Sequence, residues 1–348
     1  MNVRDLLRAN IKAMTPYSSA RDEFDNVADV YLDANENPFE NGMNRYPDPY
    51  QKEVKKRLSE IKGIAPEKIL LGNGSDEVLD IIFRAFCEPR LDNIISHNPS
   101  YGMYPVLSEI NDIELRKVNL EEGFQLNSQA MIDASDEYTK LFFICSPNNP
   151  SGNLLQKDEI KKILDLKRGI VVIDEAYIDF AEEKSWIHEL DHYPNLVVCQ
   201  TLSKAWGLAG LRMGMCFASE EIIAVFNAIK PPYNVNVLSQ KAALEVLNNE
   251  PAFKEQVAII LSERIKVIAA LEAASCVSKV FPTVSNFVLA RVDNAKALYN
   301  FLLERKVIVR NRSTQYLCEE SLRFTIGTPK ENDRLIDGIK EYESAQGE

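Results

Sequence analysis

Short apolar runs alternate with amphipathic segments over the first two thirds of the chain. The apolar runs predict buried strands at Lys68–Leu71, Asn93–Ser96, Leu141–Cys145, Gly169–Ile173, Leu196–Gln200 and Met213–Phe217. Segments with apolar residues at helical spacing predict helices at Glu77–Phe86, Met103–Ile110 and Lys157–Leu166. This alternation is typical of an α/β protein in which helices cover both faces of a mostly parallel central sheet.

The pattern changes where Lys230-Pro231-Pro232 interrupts both helix and strand. Beyond it the spacing predicts helices at Leu238–Leu247 and Ala252–Ala274, a strand at Phe287–Arg291, a helix at Ala295–Glu304, a strand at Leu322–Ile326 and a helix near Glu331–Glu343. We therefore predict a large domain over residues 31–240 and a smaller C-terminal α/β domain over residues 241–348. Residues 1–30 are predicted as an arm, helical at its start, that packs on the small domain or on a partner subunit.

The composition is that of an acidic globular protein. Of the 348 residues, 45% are hydrophobic and 26% are charged, and the formal net charge is −12. This charge has the wrong sign for a protein that binds nucleic acid or anionic lipid by neutralising phosphates. No apolar run approaches the roughly 18 residues that cross a bilayer, and the first residues lack the apolar core of a signal peptide. We expect a cytoplasmic protein with neither a membrane nor a nucleic-acid partner.

The cysteines and histidines do not form a metal-binding pattern. The six cysteines are scattered without a CxxC pair, and we predict them as reduced core residues. None of the three histidines belongs to an HExxH motif. We therefore expect no metal site.

The segment most indicative of chemistry is TLSKAWGLAGLRMG, residues 201–214. It holds Lys204 in a loop rich in small residues after a predicted strand, with Arg212 further along. A lysine in such a loop supplies an amine for a Schiff base, and the arginine supplies a cation for a phosphate. Because a lone lysine is ordinarily a solvated surface charge, this interpretation depends on three further segments.

Each of those segments follows a predicted strand. Asp174 ends an apolar strand, where open α/β sheets bind ligands, and its carboxylate can keep a pyridinium nitrogen protonated. Tyr177 and the SPNNPSG turn (residues 146–152) can donate to a phenolate oxygen. The GNGSDE turn (residues 72–77) exposes backbone N–H groups at a predicted helix N-terminus, which can bind an anion. Taken singly, each segment is also explained as ordinary turn chemistry.

Together these segments resemble the fold type I aminotransferases that use pyridoxal 5′-phosphate, and within them the histidinol-phosphate aminotransferases. The resemblance covers nearly the whole chain and is carried by TPYSSAR (15–21), YLDANENPF (31–39), NRYPDP (44–49), GNGSDE, PSYGMY (99–104), CSPNNPSG, DEAYIDF, TLSKAWGLAGLRMG and LRFTIGT (322–328). The chain departs from the family at Ser151, where threonine is frequent, and at Trp206-Gly207, where Phe-Ala is common.

The resemblance implies a pyridoxal 5′-phosphate cofactor and assigns residues around its ring. Lys204 carries the cofactor as a Schiff base and Asp174 faces the pyridine nitrogen. Asn149 and Tyr177 flank the phenolate oxygen, and Tyr101 stacks on the ring. Lys204, Asp174 and Tyr177 are thus the expected catalytic residues.

The resemblance also implies how the cofactor phosphate is held. The residues expected to bind it within one subunit are Ser75, Asp76, Ser203 and Arg212. Tyr46 is expected to reach the cofactor phosphate of the neighbouring subunit. This expectation implies a homodimer with shared active sites.

Two arginines near the end of the chain are the expected substrate-binding residues. In aminotransferases of this fold one C-terminal arginine usually clamps the substrate α-carboxylate, and by resemblance Arg323 in LRFTIGT is that residue. Arg310 in VIVRNR adds a second guanidinium, and two such groups suit a phosphate dianion better than a single carboxylate. Arg310 is equally explained as a surface arginine. The resemblance adds Tyr17 and Asn35 to the substrate site.

The implied reaction converts L-histidinol phosphate and 2-oxoglutarate to imidazole-acetol phosphate and L-glutamate. An aromatic aminotransferase of the same fold would not need Arg310. A phosphothreonine decarboxylase would share the lysine and the phosphate pocket but would release CO2. A non-catalytic pyridoxal-binding regulator would ordinarily carry a DNA-binding domain, for which we find no room before Tyr31.

Overall fold

The computed structural model describes residues 2–16 and 29–346, and two sheets organise this part of the chain. The strands, in chain order, are β1 Ile69–Asn73, β2 Asn93–Asn98, β3 Glu114–Asn119, β4 Thr139–Cys145, β5 Ile170–Asp174, β6 Leu196–Thr201, β7 Met213–Phe217, β8 Val277–Val280, β9 Phe287–Val292, β10 Arg310–Asn311 and β11 Ser321–Thr325. The first seven form a large sheet and the last four form a small one.

The α-helices complete the pattern expected from the sequence. They are α1 Ala9–Ala13, α2 Lys52–Lys62, α3 Ser75–Phe86, α4 Met103–Ile110, α5 Ser128–Asp133, α6 Lys157–Asp165, α7 Glu220–Ile229, α8 Val237–Leu247, α9 Glu250–Ala273, α10 Ala295–Glu304 and α11 Pro329–Gln346. Every helix and strand predicted within residues 68–343 is present, with ends that differ by a few residues. Among the described residues, no helix combines the length and the apolar character needed to cross a membrane.

The large sheet has the strand order β1-β7-β6-β5-β4-β2-β3. The strands from β6 to β3 run parallel, and β7 runs antiparallel to both of its neighbours. Successive residues point to opposite faces, so that Ile69 and Leu71 join one buried cluster and Leu70 joins the other. Helices cover both faces, which confirms the α/β prediction. All six cysteines are buried and unbridged, as predicted.

The edge strand β3 is the part of this sheet that the apolar pattern does not predict. Its sequence, ELRKVN, is largely charged or polar, and none of its residues is fully buried. Charged side chains on an edge strand oppose pairing with other chains. The strand is therefore set by its pairing with β2 and not by an apolar signal of its own.

The small sheet has the order β10-β11-β9-β8, and all its pairs are antiparallel. Its core packs apolar residues of α9, α10 and α11 against the inner residues of β9 and β11. Helix α8, which spans the predicted boundary at residue 240, packs at Ala243 and Leu247 into the core of the large sheet. The division of the chain into domains at that residue stays a prediction.

The first residues of the arm contact the large domain. Val3 is buried in the cluster that also contains Phe86 and Phe226 of the large domain. The Arg8 N–H donates to the Ala85 carbonyl at 3.1 Å, and the Arg8 guanidinium pairs with Glu88. The apolar side chains at the start of the arm thus join the helical layer formed by α3 and α7 of the large domain. Packing of the arm on the small domain or on a partner subunit stays a prediction.

Candidate active site

The candidate site lies at the carboxyl edge of the large sheet, where β4, β5 and β6 end. Asp174, the last residue of β5, pairs with Cys145, the last residue of β4. The pocket beyond these ends is lined by Ser75, Asp76, Tyr101, Cys145, Asn149, Asp174, Ala176, Tyr177, Thr201, Ser203, Lys204 and Arg212. Open α/β sheets bind ligands at this edge. The fold thus brings segments that are far apart in the sequence to one place.

Lys204 lies in the turn that follows β6. The Ser203 N–H donates to Thr201 Oγ1 at 3.1 Å and fixes the turn. Although Lys204 reaches solvent, its Nζ lies 5.8 Å from the centroid of the Tyr177 ring. The surrounding protein lowers the pKa of the Lys204 amine, first by removing water and then through the cation of Arg323. A lowered pKa leaves more of the amine neutral near pH 7, as a nucleophile requires.

Asp174 is buried, and both of its carboxylate oxygens accept hydrogen bonds. Tyr104 Oη donates to Oδ2 at 2.9 Å, and the Ala176 N–H donates to Oδ1 at 3.1 Å. Burial raises the pKa of Asp174, and the two hydrogen bonds oppose that rise. A buried carboxylate in this setting is stabilised further by a cation, so the site suits a protonated ring nitrogen.

Tyr104 is a functional candidate that the sequence interpretation misses. Its ring is fully buried, stacks on Phe143 with 4.8 Å between centroids, and meets Tyr101 edge to face at 5.7 Å. Because it holds the orientation of Asp174 by a hydrogen bond, we regard it as a positioning residue. The PSYGMY segment contains it, but at the start of α4 it carries the signal of an ordinary core aromatic residue.

His97 is a second missed positioning residue. Its Nε2 accepts a hydrogen bond from the Cys145 N–H at 3.0 Å, and its Nδ1 donates to the Pro99 carbonyl at 3.2 Å. Burial lowers the pKa of His97 to about 4, so the ring is neutral and both contacts are satisfied. The sequence interpretation treats histidines only as metal ligands, and so it does not find this role.

The N-terminus of α3 forms an anion-binding cradle. Gly74 precedes the helix at φ 85°, and no side chain caps it. A Cβ at Gly74 would lie 2.7 Å from Arg212 Nη2, and a Cβ at Gly214 would lie 2.2 Å from the Ser75 nitrogen. Both positions therefore require glycine. Uncapped N–H groups beside a guanidinium and two serine hydroxyls fit a phosphate monoester.

Asp76 links this cradle to Tyr101, an aromatic residue that lines the pocket. Its Oδ1 accepts a hydrogen bond from Tyr101 Oη at 3.0 Å, and its Oδ2 lies 3.4 Å from Arg212 Nη2. Burial and the Asp76 carboxylate both raise the pKa of Tyr101, so this phenol stays protonated. Asp76 thus orients Tyr101 and Arg212 together.

Arg323, in β11, joins the small sheet to the pocket. Its Nη1 donates to Asn149 Oδ1 at 2.5 Å, and its guanidinium lies 5.0 Å from the centroid of the Phe287 ring. Phe287 in turn meets Tyr177 edge to face at 5.0 Å. Arg310 is the Cα partner of Arg323 across β10 and β11. The two predicted substrate-binding arginines are therefore neighbours on one face of the small sheet.

Two other predicted residues lie outside this pocket. Asn35 and Tyr46 line a separate surface pocket together with the start of α8. Tyr46 is 50% exposed and stacks on Tyr233 with 4.4 Å between centroids. Tyr17 lies outside the described residues.

The two family departures have different surroundings. Trp206 is buried and stacks on Phe253 of α9 at 3.8 Å, which packs the Lys204 loop against that helix. Ser151 is also buried, and its Oγ accepts a hydrogen bond from Asn148 Nδ2 at 2.8 Å. Neither side chain lines the pocket.

A comparison with protein families decides the assignment. Residues 18–339 match the family described as aminotransferase class I and II. The chain belongs to this aminotransferase family. The matched range includes every residue that lines the pocket, and Arg310 and Arg323 as well.

Relatives of this aminotransferase agree with one another. A histidinol-phosphate aminotransferase of Flavobacterium johnsoniae is 53% identical over 97% of this chain and 98% of its own. The crystal structure of the histidinol-phosphate aminotransferase from Clostridium acetobutylicum superposes with a TM-score of 0.80 at 26% identity, covering 87% of this chain and 92% of that one. A Sinorhizobium meliloti histidinol-phosphate aminotransferase, solved in complex with pyridoxal-5′-phosphate, shares the fold with a TM-score of 0.79 at 22% identity, covering 87% and 84% of the two chains.

Proposed function

We propose that this aminotransferase transfers the amino group of L-histidinol phosphate to 2-oxoglutarate, giving imidazole-acetol phosphate and L-glutamate, with pyridoxal 5′-phosphate as its cofactor. The observation that carries the proposal is the pair formed by Arg310 and Arg323 beside the Lys204 pocket. The name shared by its curated relatives, at 49–53% identity, supports the same substrate.

The residues present fit this cofactor at both of its ends. Ser75, Ser203 and Arg212 would hold its phosphate in the glycine-lined cradle, and Asp174 would hold its ring nitrogen. Asn149 and Tyr177 would donate to its phenolate oxygen, Tyr101 would stack on its ring, and Lys204 would attach it covalently. When bound, pyridoxal phosphate supplies an electron sink for breaking a bond at the substrate Cα.

Lys204 is the residue that transfers the proton of the substrate Cα. Its amine has a lowered pKa because burial and the Arg323 cation disfavour the charged form. In the neutral form Nζ accepts the proton from the substrate Cα and returns it later in the cycle. Tyr104 and the Ala176 N–H donate to the Asp174 carboxylate and favour its charged form, against the effect of burial.

The arginine pair selects the substrate by its anionic group. Histidinol phosphate carries a phosphate and no carboxylate, so the group that Arg323 clamps must be a dianion. Arg323 is oriented by Asn149 and contributes one guanidinium, and Arg310 contributes the second. A carboxylate of 2-oxoglutarate uses Arg323 in the second half of the cycle. We propose that Tyr17 and Asn35 also contact the substrate.

The alternatives are less well supported. An aromatic aminotransferase leaves Arg310 without a role. A phosphothreonine decarboxylase would need no amino-group acceptor, and the curated relatives at 49–53% identity carry the aminotransferase name instead. The presence of Asp174 beside Lys204 in one pocket favours an enzyme over a pyridoxal-binding regulator. The proposed enzyme is cytoplasmic.

We further propose a homodimer with shared active sites. Residues 30–46 expose large apolar side chains, among them Leu32 at 88% and Phe39 at 80%. Such an apolar patch is typical of a protein interface. Tyr46 lies in the same segment, in a pocket separate from its own Lys204, so a partner's site is the one it would complete.

A panel of amine donors tests the proposed function. Purified holoenzyme is given 2-oxoglutarate with histidinol phosphate, histidinol, phenylalanine or phosphothreonine, and glutamate and CO2 are measured. We expect glutamate from histidinol phosphate at a kcat/KM well above that of every other donor, and no CO2. Equal or faster turnover of phenylalanine would favour the aromatic aminotransferase, and CO2 from phosphothreonine would favour the decarboxylase.

A further inference from the structure

A third arginine shares the sheet face that carries Arg310 and Arg323. Arg310 and Arg323 are directly opposite each other, and in an antiparallel pair such side chains point to the same face. Arg312 continues the ladder, because its N–H donates to the Ser321 carbonyl at 2.9 Å. Because Arg312 lies two residues after Arg310, its side chain points to that face as well. The strand β10 and its extension therefore place three guanidinium groups together.

Arg312 is part of one electrostatic cluster with the candidate site. Its pKa is lowered to about 10, first by burial and then by the cations of Arg323 and Arg310, while the Tyr177 phenol acts in the opposite sense. Burial raises the pKa of Tyr177, and the Arg312 cation in turn opposes that rise. Together with the position of Arg312 beside Arg310 and Arg323 on one sheet face, these effects indicate that the Arg312 guanidinium lies within electrostatic range of Tyr177.

No acidic group neutralises this cluster within the part of the chain that the structure describes. Neither Arg310 nor Arg312 makes a side-chain hydrogen bond or an ion pair there, and the one side-chain hydrogen bond of Arg323 is to neutral Asn149. The Nε atoms of Arg312 and Arg323 are buried without a partner, as are Ser313 Oγ and Gln315 Oε1. Buried polar atoms in native proteins are nearly always satisfied, and three of these four atoms can donate a hydrogen bond, so their concentration points to a ligand that accepts hydrogen bonds.

The charge of the cluster specifies that ligand. Three cations brought together without a carboxylate repel one another and are stabilised by a multiply charged anion. A phosphate monoester carries nearly two negative charges and three acceptor oxygens, whereas a carboxylate carries one charge and two oxygens. We infer that Arg312 is a third substrate-binding residue, which contacts the phosphate of the amino-group donor together with Arg310 and Arg323. The inference rests on the proposed function.

Charge-removing and charge-keeping variants test the inference. Holoenzyme with Arg312→Gln or Arg312→Lys is compared with wild type for kcat/KM toward histidinol phosphate and toward histidinol, which lacks the phosphate. The competitive inhibition constant of inorganic phosphate is measured as well. Lys296→Gln is the matched control, because it removes one exposed cation from the same region.

We expect Arg312→Gln to lower kcat/KM for histidinol phosphate by at least about tenfold, since a charge-assisted hydrogen bond is lost. Turnover of histidinol should stay within about threefold of wild type, the inorganic phosphate inhibition constant should rise about tenfold, and Arg312→Lys should be intermediate because lysine keeps the charge without the planar fork. Lys296→Gln should behave as wild type.

Other outcomes overturn the inference. An unchanged ratio of the two kcat/KM values in Arg312→Gln, with or without a common fall, would show a structural role or none. If Arg312→Gln does not fold, a wild-type ratio in Arg312→Lys overturns the inference, because the loss of the fork must weaken phosphate binding. Failure of the wild-type enzyme to use histidinol phosphate would refute the proposed function, and the inorganic phosphate measurement would then still decide whether Arg312 binds an anion.

Discussion

Two regions differ in whether the protein itself supplies partners for their charged groups. One is the pocket that contains Asp174 and Lys204, and the other is the face of the small sheet that carries Arg310, Arg312 and Arg323, which we call the arginine face. In the pocket, Asp174 accepts two hydrogen bonds and Asp76 binds both Tyr101 and Arg212. On the arginine face, the described residues provide Arg310 and Arg312 with no partner. The charged groups of the pocket are held by hydrogen bonds within the protein, and we propose that a bound anion completes the arginine face. A permanently bound cofactor suits the first arrangement, and an exchanging substrate suits the second.

The largest expected effect comes from the centre of the organised pocket. Lys204→Ala should lower kcat by at least about 10⁴-fold, because it removes the residue that we propose as both the covalent attachment point and the general base. Borohydride reduction of the wild-type holoenzyme followed by peptide mapping should place the cofactor adduct in the peptide TLSKAWGLAGLR. Lys161→Ala, on the exposed surface of α6, is the control. An adduct on any other lysine would end the assignment of Lys204.

Tyr104→Phe tests whether the pocket depends on hydrogen bonds inside the protein. The Tyr104 bond stabilises the charged form of Asp174, so its loss should raise the pKa of Asp174. The carboxylate is then lost at a higher pH on acidification, and the acid limb of the kcat profile should move to higher pH. We expect kcat near neutral pH to fall by about tenfold, since a hydrogen bond to a charged group is removed. Tyr138→Phe, in an exposed turn, should leave the profile unchanged, and an unmoved acid limb in Tyr104→Phe would refute the positioning role.

Complementation between two impaired variants tests whether a second subunit supplies Tyr46 to the pocket. Mixed dimers of Tyr46→Phe and Lys204→Ala chains, isolated through two different tags, should contain one intact site and one site with both lesions. Their activity should be about half that of the wild-type dimer. If each subunit used its own Tyr46, every site would carry one lesion, and the mixed dimer would show no more than half the activity of Tyr46→Phe alone.

The smallest expected effect concerns the electrostatic interaction between Arg323 on the arginine face and Lys204 in the pocket. The cation of Arg323 lowers the pKa of Lys204, so Arg323→Gln should raise the pKa of that amine in the cofactor-free enzyme. The rate at which an amine-selective reagent labels Lys204 should therefore fall at neutral pH, and its midpoint should move to higher pH. Arg291→Gln, whose guanidinium pairs with Glu319 on the same sheet, should not change the labelling. An unchanged midpoint in Arg323→Gln would show that the two regions are not coupled.

The sequence predicts the organised pocket better than the arginine face. Asp174 and Lys204 follow strands with a strong apolar signal, so their meeting at one sheet edge follows from the parallel order of β4 to β6. The roles of Tyr104 and His97 are not predictable in this way, because each depends on a contact between distant segments that carries no periodic signal. Arg312 is missed because an arginine near the end of a chain resembles a surface residue until β10 is paired with β11.

The central claim is that the arginine face binds the substrate phosphate, and Arg310→Ala tests it most directly. The measurement is the ratio of kcat/KM for histidinol phosphate to that for histidinol, in wild type and variant, with Lys296→Ala as control. Losing one arm of a charged pair costs about 2–5 kcal/mol, so the ratio should fall by at least about thirtyfold while histidinol turnover changes little. A variant that keeps the wild-type ratio would contradict the account and leave the aromatic aminotransferase as the better interpretation.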